Sequence, residues 1–239
     1  MNSLLQHPVP GVALVVHGIH VPIQKDEVSQ VIWRALQSEE FEAKEAIIVR
    51  DLLVPGDKVL ELGTGLGIIT SILAKTPGVR IWSFDANPNV VVLARRVLKA
   101  NNFQNVDVDQ GIFTSGEPGM VTFFIREDFW MSSLIEEQGP YQSTIQLEAR
   151  NLDNFVRNQK INVLVMDIEG AEERLLSCAS LTGVDRVFLE LHDHLYGLRG
   201  IRSIFTTMSK LGFAYDPRTS VGPCVLFRRD DGSIRPYND

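Results

Sequence analysis

Apolar and polar positions along the chain fall into blocks whose period changes. Val12–Val16, a turn at Gly18, and Ile19–Val21 ending at Pro22 predict a short hairpin over residues 11–23. Val28, Val31, Ile32, Ala35 and Leu36 recur at the spacing of one helix face. A second helix is predicted from Glu42 to Leu53, ending before the turn dipeptide Pro55-Gly56. From Lys58 onward, short apolar runs alternate with helical stripes. Lys58–Leu62, Val79–Phe84 and Val106–Asp109 read as strands. Between them lie a helix carrying Ile68, Ile69, Ile72 and Leu73, and another carrying Val90, Ala94, Val97 and Leu98. Asn87 caps the latter, with Pro88 at its first position, where a missing N–H costs nothing.

Ile161–Ile168 and Val184–Leu191 are nearly continuous apolar runs, as central strands covered on both faces require. Helices are predicted near Glu172–Cys178 and over Leu198–Leu211, and strands over Phe213–Tyr215 and Pro223–Phe227. Strand–helix alternation of this kind implies an α/β fold with a mostly parallel, doubly wound sheet. Residues 112–150 break the rhythm. Val121–Ile125 and Thr144–Leu147 flank Phe129-Trp130 and Ser132-Ser133, which reads as an inserted hairpin with a mobile middle. The expected organisation is an N-terminal hairpin and helix over 1–40, acting as substrate cover or oligomer contact, and a catalytic domain over 41–239 with its insertion at about 112–150.

Charge removes some function classes. The chain of 239 residues carries 23 basic and 30 acidic side chains, net −7 at pH 7, so it lacks the general electrostatic footprint of a nucleic-acid binder. No stretch approaches the roughly 20 apolar residues of a membrane span. The start has no basic segment followed by a long apolar core, so a cytoplasmic location is expected. Cys178 and Cys224 have no metal-ligand spacing and are expected to be buried free thiols.

The chemistry begins at Glu61-Leu-Gly63-Thr64-Gly65-Leu-Gly67, between the first sheet strand and a helix. Glycines there let the backbone turn tightly and approach a ligand. A dinucleotide fingerprint would read GxGxxG/A, but its last position is Ile68, too large for close helix–strand packing. Glu61 would repel a pyrophosphate and can help bind an ammonium. Both points favour S-adenosylmethionine over a nicotinamide dinucleotide. Asp85 ends the next strand and lies where a ribose diol is gripped, followed by Ala86 and Asn87. Gln110 and Gly111 end the third strand, where the alternatives are adenine contact or a plain polar turn.

Val59–Gly67, Phe84–Pro88, Ser132-Ser133-Leu134, Asn151-Leu152-Asp153, Asp167-Ile-Glu169-Gly170-Ala-Glu172 and Leu189-Glu190-Leu-His192 together resemble the FkbM-type methyltransferases, over roughly residues 40–215. The resemblance implies a class I methyltransferase Rossmann-like fold, with seven strands of which the last is antiparallel. It also implies S-adenosylmethionine as cofactor, S-adenosylhomocysteine as product, and O-methylation of a natural product, sugar or polysaccharide component. Two positions depart from the family pattern: Met166 stands where many members have lysine, and ELGTGLG replaces the commoner D-x-GAN-x-G.

Ligands of open α/β sheets bind outside the carboxyl ends of the strands. There the sequence places Asp167 and Glu169 after the fourth strand, and Glu190, His192 and His194 after the fifth. A hydroxyl nucleophile needs a base, and His192 is the expected one because its ordinary pKa lies near neutrality. Asp167 is expected to face the methyl and sulfonium region, with Glu169 and Glu190 orienting substrate or base. Alternatively, Asp167, Glu190 and His192 hold a divalent metal. Phe129 and Trp130 are either a lid or apolar substrate wall, or a satellite core cluster. His17 and His20 are expected to be structural. The partner expected is a small-molecule or sugar hydroxyl, with no nucleic acid and no membrane, and with a homodimer left open. The competing readings are N-methylation of another substrate and a nicotinamide-dependent oxidoreductase.

Overall fold

The computed structural model describes residues 14–236. Residues 11–13 of the expected hairpin lie outside that range. The remainder pairs as β1 (Leu14–Val16) and β2 (Ile19–Val21), antiparallel across a His17-Gly18 turn in which both residues have positive φ. Helix α1 (Gln30–Gln37) starts where the Ser29 hydroxyl accepts the Ile32 N–H. It buries Ile32 and Leu36 but leaves Val31 exposed, and Val28 precedes it in extended backbone, so only part of the expected stripe faces inward. Helix α2 (Ala43–Val49) is shorter at both ends than the expected Glu42–Leu53.

The doubly wound core follows: β3 (Lys58–Leu62), α3 (Ile68–Ala74), β4 (Arg80–Asp85), α4 (Pro88–Ala100) and β5 (Val106–Gln110). The Asn87 side chain accepts the Asn89 N–H, as its capping position requires. The insertion contributes β6 (Ile112–Thr114), β7 (Met120–Ile125) and β8 (Ser143–Asn151). Helix α5 (Leu152–Gln159) then leads to β9 (Val163–Met166), α6 (Glu172–Ser177), β10 (Arg186–Glu190), α7 (Asp193–Lys210), β11 (Phe213–Tyr215) and β12 (Cys224–Arg229). The α5 helix went unread because only Leu152, Phe155 and Val156 of its eight residues are apolar. Cys224 is buried as expected, but Cys178 is exposed, since it lies just past the last turn of α6 on the outer face.

Seven strands form the central sheet in the order β11-β12-β10-β9-β3-β4-β5. β12 runs antiparallel to both its neighbours, and the other pairs are parallel. Strand residues alternate between the two faces. Val59, Val163 and Phe188 join the core under α2 and α3, while Leu60, Leu164 and Val187 join the core on the opposite face. Strand order reverses between β3 and β9, and that switch point opens a crevice at the strand ends.

The opposite rim of the sheet is locked by Asp57. Its carboxylate pairs with Arg186 at 2.6 Å and accepts from the Asn162 side chain and the Val54 N–H. All four groups are tied to the strand starts, so a buried charge here is satisfied rather than costly.

The insertion is a hairpin whose strands pair from Met120↔Glu148 to Ile125↔Ser143. Its middle folds around a buried cation. The Arg126 guanidinium donates to the carbonyls of Phe124, Met131, Ile135, Glu136 and Gly139. The connection expected to be mobile is thus built as a cage of carbonyls about one side chain.

Candidate active site

At the switch point the strand ends surround a cavity of about 840 Å³. One wall is the glycine loop between β3 and α3. A Cβ on Gly63 would stand 1.7 Å from the Asp167 carbonyl oxygen, so only glycine permits the loop to touch the β9 end. Gly63 and Gly65 line the cavity. Gly67 instead lets α3 pack against α4, where an added Cβ would meet Ala94 at 3.3 Å. Thr64 turns inward, its hydroxyl 2.6 Å from that of Ser83.

Glu61 is not where the sequence suggested. Its side chain is buried behind the loop and accepts from the Thr70 and Ser83 hydroxyls. The period of β3 sends it into the protein, away from the cavity lining. Burial pushes its carboxyl up to about 7, against the two hydroxyl donors.

Asp85 does line the cavity. It accepts the Gly65 N–H at 3.1 Å and the Asn87 N–H at 2.8 Å, so it holds the glycine loop and the start of α4 in one place. Burial raises its pKa to about 6 despite these donors. Ala86 and Gly111 also line the cavity. Asn87 and Gln110 do not: the first caps α4, and the second donates to the Ala86 carbonyl at 2.9 Å. Both act on the lining from behind. A Cβ at Gly111 would meet the Phe84 ring at 2.8 Å, so this glycine keeps an aromatic floor in place.

The β9 and β10 ends bring the expected acidic cluster together, partly by a route that alternation does not describe. β9 stops at Met166, and Glu169 adopts φ 51 followed by Gly170 at φ 91. This left-handed turn swings the Glu169 carboxylate back beside Asp167. His192 Nε2 lies 3.5 Å from Asp167 Oδ1 and 3.5 Å from Glu169 Oε2. The His192 backbone N–H donates to the Tyr196 hydroxyl at 2.6 Å, which fixes the entry to α7. Asp167, Glu169, Glu190, His192 and His194 all border the cavity.

The environment of His192 differs from that of a free base. Its Nδ1 stands 3.2 Å from Glu172 Oε1, and Glu172 is fully buried. Burial works against the imidazolium, but Glu172, Asp167 and Glu169 outweigh it and raise the pKa to about 10. At neutral pH this histidine is a cation among carboxylates. The carboxylates move the other way. Burial lifts Glu169 to about 7 and Glu190 to about 6, in each case against the attraction of His192. Burial and neighbouring Glu190 and Glu169 hold Asp167 well above its usual range.

Three acidic residues of this site escaped the sequence reading. Glu172 belongs to the DxEGxE element but sits one helical turn on, where it braces His192 and accepts the Ile168 N–H at 3.0 Å. Glu42 and Glu45 come from the segment before β3 and border the same cavity. That segment also supplies Phe41, whose ring stacks on Trp130 at 5.8 Å and lies 6.4 Å from Phe129. Phe129 and Trp130 therefore form a cavity wall that is also packed on the main core. His17 and His20 have structural partners: His17 Nε2 contacts the Phe41 carbonyl at 2.7 Å, and the His20 backbone exchanges hydrogen bonds with the Asn101 side chain.

Among the described residues, ligand atoms of Asp167, Glu190 and His192 lie within 4.8 Å of one another, as do those of Glu45, Glu190 and Cys224. In the second group the Cys224 thiol donates to Glu45 Oε1 at 2.9 Å. Burial and the adjacent Glu45 push that thiol far above its usual pKa. No helix among these residues is long and apolar enough to cross a membrane.

A curated relative, protein-L-isoaspartate O-methyltransferase 1 of Polaromonas sp. strain JS666, is 37% identical over 78 residues. That match covers 32% of this chain and about a third (33%) of the relative's length. Among solved structures, a precorrin-6y C5,15-methyltransferase from Geobacter metallireducens superposes with a TM-score of 0.47 at 12% identity, covering 82% of each chain. A SAM-dependent O-methyltransferase from Thermotoga maritima superposes at 0.45 with 10% identity, covering 82% of this chain and 67% of that one. The methyltransferase FkbM domain model matches residues 63–215, well over half of the sequence, and the chain belongs to that family.

Proposed function

We propose that this protein is an S-adenosylmethionine-dependent O-methyltransferase acting on a hydroxyl of a small molecule or sugar. The observation that carries the reading is the convergence of Asp167, Glu169, Glu190 and His192 on the cavity bounded by Gly63, Gly65 and Asp85. The cavity fits the cofactor. It is the size of a small-molecule site, its glycine wall has no side chain in the way, and Asp167 Oδ1 is a buried carboxylate oxygen without a hydrogen-bond partner. Asp85 would hold the ribose hydroxyls, Gly63 and Gly65 would flank the methionine arm, and Asp167 would face the positive sulfonium. When bound, the cofactor supplies a methyl group activated on sulfur.

The protein then has to place the acceptor oxygen and take its proton. Glu169 is the group for the second task. It borders the cavity, and a pKa near 7 lets it accept a proton at working pH and release it afterwards. His192, the base expected from the sequence, is already protonated, and its role in this proposal is to hold Glu169 and Asp167 in place. The new bond is oxygen to methyl carbon, the broken bond is sulfur to methyl carbon, and the proton ends on the Glu169 carboxylate.

Testing begins with calorimetric titration of S-adenosylmethionine and S-adenosylhomocysteine, followed by an acceptor screen that pairs hydroxyl compounds with their amine analogues. Methylation confined to the amines would overturn the O-methyl reading. With an acceptor in hand, Glu169→Gln is expected to lower kcat by about 10²–10⁴-fold with cofactor affinity kept, the range for loss of a general base.

A divalent cation at Asp167, Glu190 and His192 is a second reading, favoured by their mutual spacing within 4.8 Å. It requires His192 to release its proton to solvent so that the neutral imidazole can bind the metal. Chelation that abolishes turnover, with restoration by one added cation, would support it.

A further inference from the structure

We propose that Glu42 binds the α-ammonium group of the cofactor's methionine arm. This inference rests on the cofactor assignment above and adds a residue that the family match, which begins at position 63, does not reach.

Glu42 has the left-handed backbone angles φ 50, ψ 32, a conformation that strains a non-glycine residue. Local structure draws nothing from the side chain in return. Glu42 sits at the capping position of α2, yet its carboxylate makes no capping hydrogen bond. The carboxylate is instead directed into the cavity. Oε1 lies 3.1 Å from the position a Cβ on Gly65 would occupy, against the glycine loop itself. Oε2 is buried and has no hydrogen-bond partner among the described residues. Burial, then the neighbouring Glu45 and Asp167, raise its pKa well above the usual range.

The position suits the ligand group. Gly65 separates two carboxylates, with Asp85 bonded to its N–H and Glu42 against its α-carbon. With its ribose held at Asp85, a nucleoside would have its amino-acid arm beside the glycine loop that Glu42 faces. The group on that arm that needs an acceptor is a primary ammonium. Glu61, the carboxylate the sequence offered for this role, is committed to Thr70 and Ser83 behind the loop. Glu42 is the carboxylate that faces the loop from the cavity side.

The test compares two ligands that share the nucleoside but differ in the arm. S-adenosylhomocysteine carries the amino-acid group, whereas 5′-methylthioadenosine lacks it. By calorimetry, Glu42→Gln should weaken S-adenosylhomocysteine by about 10-fold or more, the scale of a charge-assisted hydrogen bond, and leave 5′-methylthioadenosine within about 2-fold. Glu42→Gly controls for folding, because glycine accepts φ 50 without strain and should not lower the thermal midpoint. It should show the same ligand-selective loss. Equal weakening of both ligands, or no weakening of either, would overturn the proposal. Failure of the unmutated protein to bind either ligand would overturn the cofactor assignment as well, and so is distinguishable from failure of Glu42 alone.

Discussion

Acidic residues beside the glycine loop are sorted by the direction in which their strands aim them. Asp85 and Glu61 illustrate the difference. Both are acidic, both flank the glycine loop, and only one reaches the cavity. Asp85→Ala should lower S-adenosylhomocysteine affinity by ~1.5–3 kcal/mol, read by calorimetry, through loss of a charged acceptor. Glu61→Gln should change that affinity little, since an amide can still accept from Thr70 or Ser83. A large loss in the second variant would mean that Glu61 reaches the ligand after all. Asp85, Asp167, Glu190 and His192 were legible because each ends or follows a strand with a clear apolar pattern. Glu42 was not, because nothing in a sequence marks a glutamate in the left-handed region. The role of Glu172 was hidden because it is set by a contact with His192 20 positions away, in which burial rather than spacing makes the pair.

At the scale of elements, the insertion depends on one residue. Arg126 binds five backbone carbonyls. Arg126→Met would leave those groups without their shared donor, at a cost of at least ~2 kcal/mol locally. The expected readout is faster amide exchange and proteolysis confined to about residues 126–140, with the central sheet unchanged. Uniform destabilisation of the whole chain would show instead that the insertion and sheet unfold as one unit. The hairpin strands were readable from alternation, but its interior was not. A lone arginine in a polar loop looks like a solvated charge until the carbonyls around it are seen. Helix α5 escaped for a different reason, because only three of its eight residues are apolar, too few to establish a period.

The whole molecule carries its raised carboxyl groups as a pH-dependent term in stability. Glu61, Asp85, Glu169 and Glu190 all titrate higher in the folded protein than in an unfolded chain. The folded state therefore binds more protons across that interval. The stabilisation is complete below the unfolded carboxylate pKa of about 4 and is lost as pH rises through about 6–7. His192 acts in the same sense up to about 10. The thermal midpoint of the cofactor-free protein should accordingly fall between pH 5 and pH 8, and Glu61→Gln should make that fall shallower. A midpoint that rises over the same range would contradict the burial of these groups.

The position of β12 has a practical consequence for anyone dividing this chain. The stretch that matches the family, residues 63–215, omits β3 and β12. β3 is the strand beside the switch point, and β12 is wedged between β10 and β11. A fragment cut at those limits would be a sheet with two internal gaps and four newly exposed edges, prone to pair with its own copies. The matched stretch is thus smaller than the seven-stranded sheet. A gene fusion, a truncation or a transplanted domain has to be drawn around the sheet, not around the motif.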